Sequence, residues 1–135
     1  MTRARFSVTV CFVNNSALFV AVVDDEESIR HALQRLIQSA GLAVQTFASG
    51  ADFLVSLQMR RPDCLVLDLH MPLMNGFDIQ LELAKMNSRI PVVIITGHDI
   101  PGSEALVLSR GARAYLRKPV NDQTLLSAQM IPNEK

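Results

Sequence analysis

Asp24, Asp25, Asp68, Thr96 and Lys118 are the residues of this 135-residue chain whose types and surroundings suit chemistry. Three carboxylates brought close together repel one another and take up protons unless a cation neutralises them. An all-oxygen set with open positions for water suits Mg²⁺ better than zinc. An aspartate can also act as a nucleophile and form an aspartyl phosphate. Transfer of a phosphoryl group needs positioning and charge neutralisation more than further covalent steps, and here Lys118 offers a second cation and Thr96 a hydroxyl donor. Asp68 is the candidate reacting group. It ends the apolar run 64–67 and opens onto a loop stiffened by Pro72 and loosened by Gly76, which is how a carboxylate is presented at a strand's end.

These residues are far apart in the chain, so the elements between them must bring them together. Residues 17–23 are continuously apolar and rich in Val, the mark of a strand covered on both faces, and stop at Asp24-Asp25-Glu26-Glu27. Ile29, Leu33, Leu36 and Ile37 recur at helical spacing up to Gly41. A second strand is expected over 42–47, then a helix capped by Ser49 that carries Phe53, Leu54 and Leu57 and ends at Arg60-Arg61-Pro62. The strand to Asp68 follows. Phe77, Ile79, Leu81, Leu83, Ala84 and Met86 form a less regular helical stretch that stops near Asn87-Ser88. A strand over 92–95 ends at Thr96-Gly97, and a helix runs from Ser103 to Gly111 after the Pro101-Gly102 turn. Residues 112–117 alternate more strongly and read as an edge strand running into Lys118-Pro119. A short last helix from Asp122 carries Leu125, Leu126 and Met130 and ends by Pro132.

Five alternations of strand and helix predict an α/β fold: a flavodoxin-like, doubly wound, five-stranded parallel sheet of order 2-1-3-4-5 with helices on both faces. Strands that all point one way collect the residues that follow them at one edge. Ligands bind there, at the switch point between strands one and three. The three aspartates flank that point.

Composition limits what else the chain can be. Its length suits one domain and leaves no room for a second. Thirteen basic and thirteen acidic residues balance, with no basic run of the kind that neutralises phosphates, so no direct nucleic-acid contact is expected. Cys11 and Cys64 lack metal-ligand spacing, and Cys64 reads as a small core hydrophobe, in keeping with a reducing cytoplasm. No apolar run of about 20 residues predicts a membrane span. Near the N-terminus Phe6, Val8, Val10 and Phe12 alternate with Ser7, Thr9 and Cys11 behind Arg3 and Arg5, and Asn14-Asn15-Ser16 breaks the pattern. This segment reads as a half-buried strand or an arm of unknown role, not as an export signal.

Four motifs together resemble the receiver, or phosphoacceptor, domain of two-component response regulators. They are Val22-Val23-Asp24-Asp25-Glu26, Asp68-Leu69-His70-Met71-Pro72 with Asn75-Gly76, Ile95-Thr96-Gly97, and Tyr115-Leu116-Arg117-Lys118-Pro119. The resemblance covers residues 17–131, leaving 1–16 as an N-terminal extension and 132–135 as a tail. It implies that Asp68 accepts a phosphoryl group from a sensor histidine kinase or a histidine phosphotransfer protein. It further implies that Asp25 and Asp68 bind Mg²⁺ directly, Asp24 mainly through water, and the backbone carbonyl of His70 as well. Lys118 would hold the phosphoryl group, ahead of a cis Lys118-Pro119 bond. Thr96 would move toward the phosphate, Tyr115 would turn inward as a switch, and the side chains of His70 and His98 would border the site.

By the same resemblance the chain signals through protein contacts and catalyses only its own phosphorylation and dephosphorylation. The output face would span about 103–130, where a homodimer can also form. The downstream partner is not named by these motifs, and neither a stand-alone receiver nor a piece of a longer protein is selected. Two other readings fit the residues less well. A receiver-like interaction module without phosphorylation would normally lack one of the acidic pair, the central Asp or the Lys, and all are present. A phosphohydrolase of the haloacid-dehalogenase type carries a second acid two residues after its nucleophile, where this chain has His70.

Overall fold

Strands without a polar interruption occupy the middle of the sheet, and strands that alternate occupy its rims. In the computed structural model, which describes residues 18–120 together with Leu125, β1 (Phe19–Val23), β3 (Cys64–Asp68) and β4 (Val92–Thr96) are buried along their whole length. The alternating β2 (Ala43–Phe47) and β5 (Ala114–Arg117) lie at the two edges. All neighbours pair in parallel, in the order β2-β1-β3-β4-β5. This is the expected flavodoxin-like arrangement.

The period of two along each strand divides the core into two layers. On one face Ala21, Val23, Leu65, Leu67 and Ile94 pack against Phe53 of α2 (Gly50–Ser56), Ile79 and Leu83 of α3 (Gly76–Lys85) and Val107 of α4 (Ser103–Ser109). On the other, Val20, Val22, Val66, Val93 and Ile95 meet Leu33 and Ile37 of α1 (Glu27–Ser39), together with Leu125. Leu125 is helical and buried, as the expected last helix requires. The remainder of that helix, the N-terminal extension and the tail lie outside the described residues.

Local chemistry sets where the helices start. Ser49 Oγ accepts from Asp52 N at 3.2 Å, and Asn75 and Asp78 form a reciprocal capping box at 2.9 and 3.0 Å. Several strand boundaries differ from the expected ones: β1 begins at Phe19 and β2 at Ala43, each later than expected. β5 begins at Ala114 and not at residue 112, because Ala112 N is used by the carbonyl of Val107 at 3.0 Å to close α4. β4 extends one residue further, to include Thr96.

Gly76 joins fold to site. Its N–H donates to Leu69 O at 2.9 Å, and a Cβ built on it would stand 3.0 Å from both the Asp68 carbonyl oxygen and Leu69 Cα. The first turn of α3 therefore lies directly against the backbone at the end of β3. Gly76→Ala should force these segments apart and lower stability by about 1–3 kcal/mol, read as a shift in the urea midpoint at unchanged slope. A variant as stable as the parent would show that α3 can move away without cost.

Candidate functional site

Register explains why two carboxylates from distant parts of the chain meet. Val23 pairs with Leu67 across β1 and β3, so the next residue of each strand is an aspartate, Asp24 beside Asp68, on strands about 4.8 Å apart. Asp24 is fully buried and Asp68 nearly so, while Asp25 is exposed. Asp24 is held on every side: its N–H donates to Phe47 O at 3.1 Å, its Oδ1 accepts from Glu26 N at 2.9 Å, and its carbonyl accepts from Arg30 Nη1 at 2.8 Å.

Lys118 comes to this pair from beyond β4. Its backbone N–H donates to Thr96 O at 2.8 Å. Its stem passes Gly97, where an added Cβ would lie 3.7 Å from Lys118 Cδ. Its ammonium reaches Asp24 Oδ2 at 2.9 Å, Asp68 Oδ1 at 3.3 Å and Glu26 Oε1 at 3.4 Å. The Lys118-Pro119 bond is cis, as the resemblance implies. Asp25, Glu26, Asp68, His70, Gly97, His98 and Lys118 line a cleft of about 280 Å³ over this cluster. A larger and mostly apolar cleft, about 460 Å³ between α1 and Pro119-Val120, contains no carboxylate and borders residues outside the described set. Chemistry, and not volume, selects the site.

Burial and the neighbouring Asp24 charge push the Asp68 carboxyl from its ordinary 3.8 up to about 7, against the opposing pull of Lys118. Burial works against the Lys118 charge too, but its bonds to Asp24 and the charges of Asp68 and Asp24 outweigh it and hold that pKa above its ordinary value. One cation for three carboxylates leaves the cluster negative. Asp24 Oδ2 is buried and, although within ion-pair distance of Lys118, has no hydrogen bond of good geometry. One oxygen each from Asp24, Asp25 and Asp68 lie within 4.8 Å of one another. Three carboxylate oxygens gathered this closely in a negative cluster are a donor set that fits a small hard cation such as Mg²⁺.

Thr96 and Tyr115 stand outside this cleft. The Thr96 hydroxyl is engaged within its own loop, donating to His98 O and accepting from His98 N, each at 3.0 Å. His70 Nε2 lies 3.1 Å from the same His98 carbonyl, tying the β3–α3 and β4–α4 loops together. Tyr115 is buried against the core, and its hydroxyl donates to Asp99 Oδ1 at 2.8 Å. Arg117 Nε donates to Asp99 Oδ2 at 2.6 Å, and Arg117 also lies 3.5 Å from Glu104. The hydrogen bonds from Arg117 and Tyr115 hold Asp99 below its usual range. Burial, then Asp99, pushes the Tyr115 hydroxyl up to about 12.

Sequence reasoning missed Asp99 altogether, and it gave Glu26 and Arg30 no role in the site. Arg30 sits at helical spacing beyond Glu26, a signal that was available; nothing in the spacing pairs Asp99 with a tyrosine sixteen residues later. The expected bystanders are bystanders. Cys64 is buried, with its thiol pushed up to about 12 by that burial, and His31 is exposed beside Glu27 at 3.8 Å.

The family model described as "Response regulator receiver domain" matches residues 20–129. The chain belongs to that family. Nodulation protein W of Bradyrhizobium diazoefficiens is 42% identical over 117 residues, 86% of this chain and 51% of that one. Response regulator protein TmoT of Ectopseudomonas mendocina is 36% identical over 129 residues, 91% of this chain and 58% of that one. Among solved structures, a response regulator receiver protein from Burkholderia phymatum aligns with TM-score 0.73 at 44% identity, covering 83% of this chain and 94% of that one. Vibrio cholerae CheY4 aligns with TM-score 0.75 at 32% identity, covering 82% and 93%. The chain spans about half the length of the curated relatives it matches. Its receiver domain is that of a two-component response regulator. Among the described residues no helix is long and apolar enough to cross a membrane.

The Asp68 shift has a measurable sign. Between pH 3.8 and about 7 the folded protein holds a proton on Asp68 that the unfolded chain has released, so this carboxyl lowers stability as pH rises through that window. In EDTA, Asp68→Asn should therefore be more stable than the parent at pH 8, by up to about 4 kcal/mol, with the gap closing toward pH 4. Urea unfolding across that range measures it. A gap that does not change with pH would place its origin elsewhere than in this carboxyl.

Proposed function

We propose that Asp68 is the phosphoacceptor of this receiver and that Mg²⁺ and Lys118 are its two sources of positive charge. The observation that carries the reading is Lys118, whose ammonium lies between the buried Asp24 and Asp68 at 2.9 and 3.3 Å from an adjacent loop. In the transfer an Asp68 carboxylate oxygen attacks the phosphorus of a phosphohistidine, the P–N bond breaks with its electron pair passing to nitrogen, and the imidazole, already protonated on its other nitrogen, leaves as the neutral ring. Lys118, already ion-paired with Asp68 Oδ1, follows the developing charge onto a phosphoryl oxygen. Asp24, Asp25, Asp68 and the His70 carbonyl would hold the metal, which when bound neutralises the carboxylates and keeps Asp68 ionised.

Phosphorylation adds oxygens that compete for the Thr96 hydroxyl. Exchanging the His98 carbonyl for a charged acceptor gives a stronger hydrogen bond, and it frees the β4–α4 loop that Thr96 and His98 now close. That loop also carries Asp99, so its movement loosens Tyr115 and Arg117 on β5. Ile100 of the β4–α4 loop and Leu106 and Leu108 of α4 are exposed apolar residues, which supports an output surface of α4, β5 and the last helix that meets a protein partner or a second copy. The donor is a sensor histidine kinase or a histidine phosphotransfer protein, the setting is the cytoplasm, and the domain runs over 17–131. It turns over only its own phosphate and touches no nucleic acid itself.

Intact mass after incubation with acetyl phosphate tests the assignment. The parent should gain one phosphate in Mg²⁺ and none in EDTA, and Asp68→Asn should gain none in either. A folded parent that gains nothing in Mg²⁺, or a variant that is still labelled, would overturn it.

A further inference from the structure

Asp25 differs from the other two clustered carboxylates in how it is held. Asp24 and Asp68 are buried, and the Lys118 ammonium reaches them at 2.9 and 3.3 Å. Asp25 is exposed, and among the described residues its carboxylate makes neither a hydrogen bond nor an ion pair. One of its oxygens nevertheless lies within 4.8 Å of an oxygen from each of the others. Its place in the cluster is therefore set by the backbone on either side of it.

Three bonds fix that backbone. Asp24 stands one residue past the end of β1, and no main-chain group among the described residues bonds its carbonyl. Arg30 does so instead. Its side chain turns back from the first turn of α1 and donates from Nη1 to Asp24 O at 2.8 Å, while its own N–H donates to Glu26 O at 3.0 Å. Glu26 N in turn donates to Asp24 Oδ1 at 2.9 Å. Asp25 sits inside the loop that these bonds close, and Arg30 holds the peptide between residues 24 and 25. A charged donor makes that bond roughly twice as strong as a neutral one would. Glu26 also ties the loop to Lys118, at 3.4 Å, but that tie gives way as Lys118 moves onto a phosphoryl group, and the bond from Arg30 does not.

We infer that Arg30 is a positioning residue for the metal site, acting through the Asp24 carbonyl to hold Asp25 where it can join Asp24 and Asp68 on Mg²⁺. This rests on Mg²⁺ being bound by these carboxylates, as proposed for the phosphoacceptor. Charge and position make opposite demands here. A guanidinium beside the site repels a cation, so by charge alone the loss of Arg30 would tighten Mg²⁺ binding. By position, its loss frees the peptide before Asp25, and the entropy of ordering that residue again is then charged to metal binding. Removing a group that orients metal ligands typically weakens affinity by about 10–100-fold, so position outweighs charge.

The test is a ¹H–¹⁵N correlation titration of the full chain, freed of EDTA, with MgCl₂ at ionic strength held constant with KCl. Arg30→Met keeps the stem and loses both donor and charge, and it should raise the Mg²⁺ dissociation constant about tenfold. Arg30→Lys keeps the charge on a shorter side chain without the fork, and it should raise the constant several-fold, which a charge effect would not do. Without metal, the Glu26 amide should exchange with solvent faster in both variants than in the parent, while the amides of β3 and β4 do not. An Arg30→Met variant that binds Mg²⁺ as tightly as the parent, or more tightly, overturns the inference alone. Should that variant fail to fold, Arg30→Lys decides, and an unchanged constant overturns it. A parent without saturable shifts, or Asp25→Asn that binds undiminished, overturns both this inference and the metal site on which it rests.

Discussion

The ammonium of Lys118 between Asp24 and Asp68 is the contact on which the rest of the site depends. Parallel pairing of β1 and β3 leaves two aspartates side by side at the sheet's edge, and Asp24 is held there by Phe47, Glu26 and Arg30. Two unpartnered carboxylates buried there would be strongly unfavourable. One lysine offsets this in part, as the persistent upward shift of Asp68 to about 7 indicates. The site is therefore left deficient in positive charge. A divalent ion and a phosphoryl group, which brings charge of its own and takes the lysine with it, are two ways in which that imbalance can be redistributed.

How such a redistribution reaches the surface follows from the β4–α4 loop. Its first residues close on themselves through Thr96 and His98 and on the neighbouring loop through His70. Its next residue, Asp99, is bonded to β5 through Tyr115 and Arg117. Two short networks thus share one segment of backbone, so a movement of that segment reaches both. Tyr115 has its ring in the core and its hydroxyl on an exposed carboxylate, so leaving Asp99 would strand a buried polar group unless it found a new partner. A segment held this way suits two discrete arrangements better than a graded response.

Much of this was legible in the chain because its causes are local. Continuous Val and Ile runs could only be inner strands, alternation marked β5 as an edge, and Ser49 announced its helix, whereas the Asn75 cap emerges only in the structure. The parallel sheet then dictated that Asp24, Asp25, Asp68, Thr96 and Lys118 share an edge, and all five do. What stayed hidden depends on side-chain direction. A threonine at a strand end can face a cleft or its own loop, and only the His98 backbone decides for Thr96. Asp99 has ordinary loop surroundings, and its pairing with Tyr115 exists only because β4 and β5 are neighbours. The start of β5 was misjudged for a similar reason: Ala112 is apolar enough for a strand, but its N–H is taken by the end of α4.

Charge shows the same division between local and non-local causes. With thirteen acidic and thirteen basic residues the chain is neutral, and no run of like charge stands out. Folding nevertheless gathers charges that the sequence scatters: the acidic residues after β1 and β3 meet Lys118 at one edge of the sheet, and Arg89, Arg110 and Arg113 lie at the other. Arg89 precedes β4, Arg110 ends α4 and Arg113 precedes β5, so their meeting is a product of parallel pairing as much as that of the aspartates is. A parallel sheet sends every strand's entry to one side and every exit to the other. Residues scattered through the sequence thereby meet at one edge of the sheet or the other, and neither net charge nor a search for charge runs can reveal such groupings.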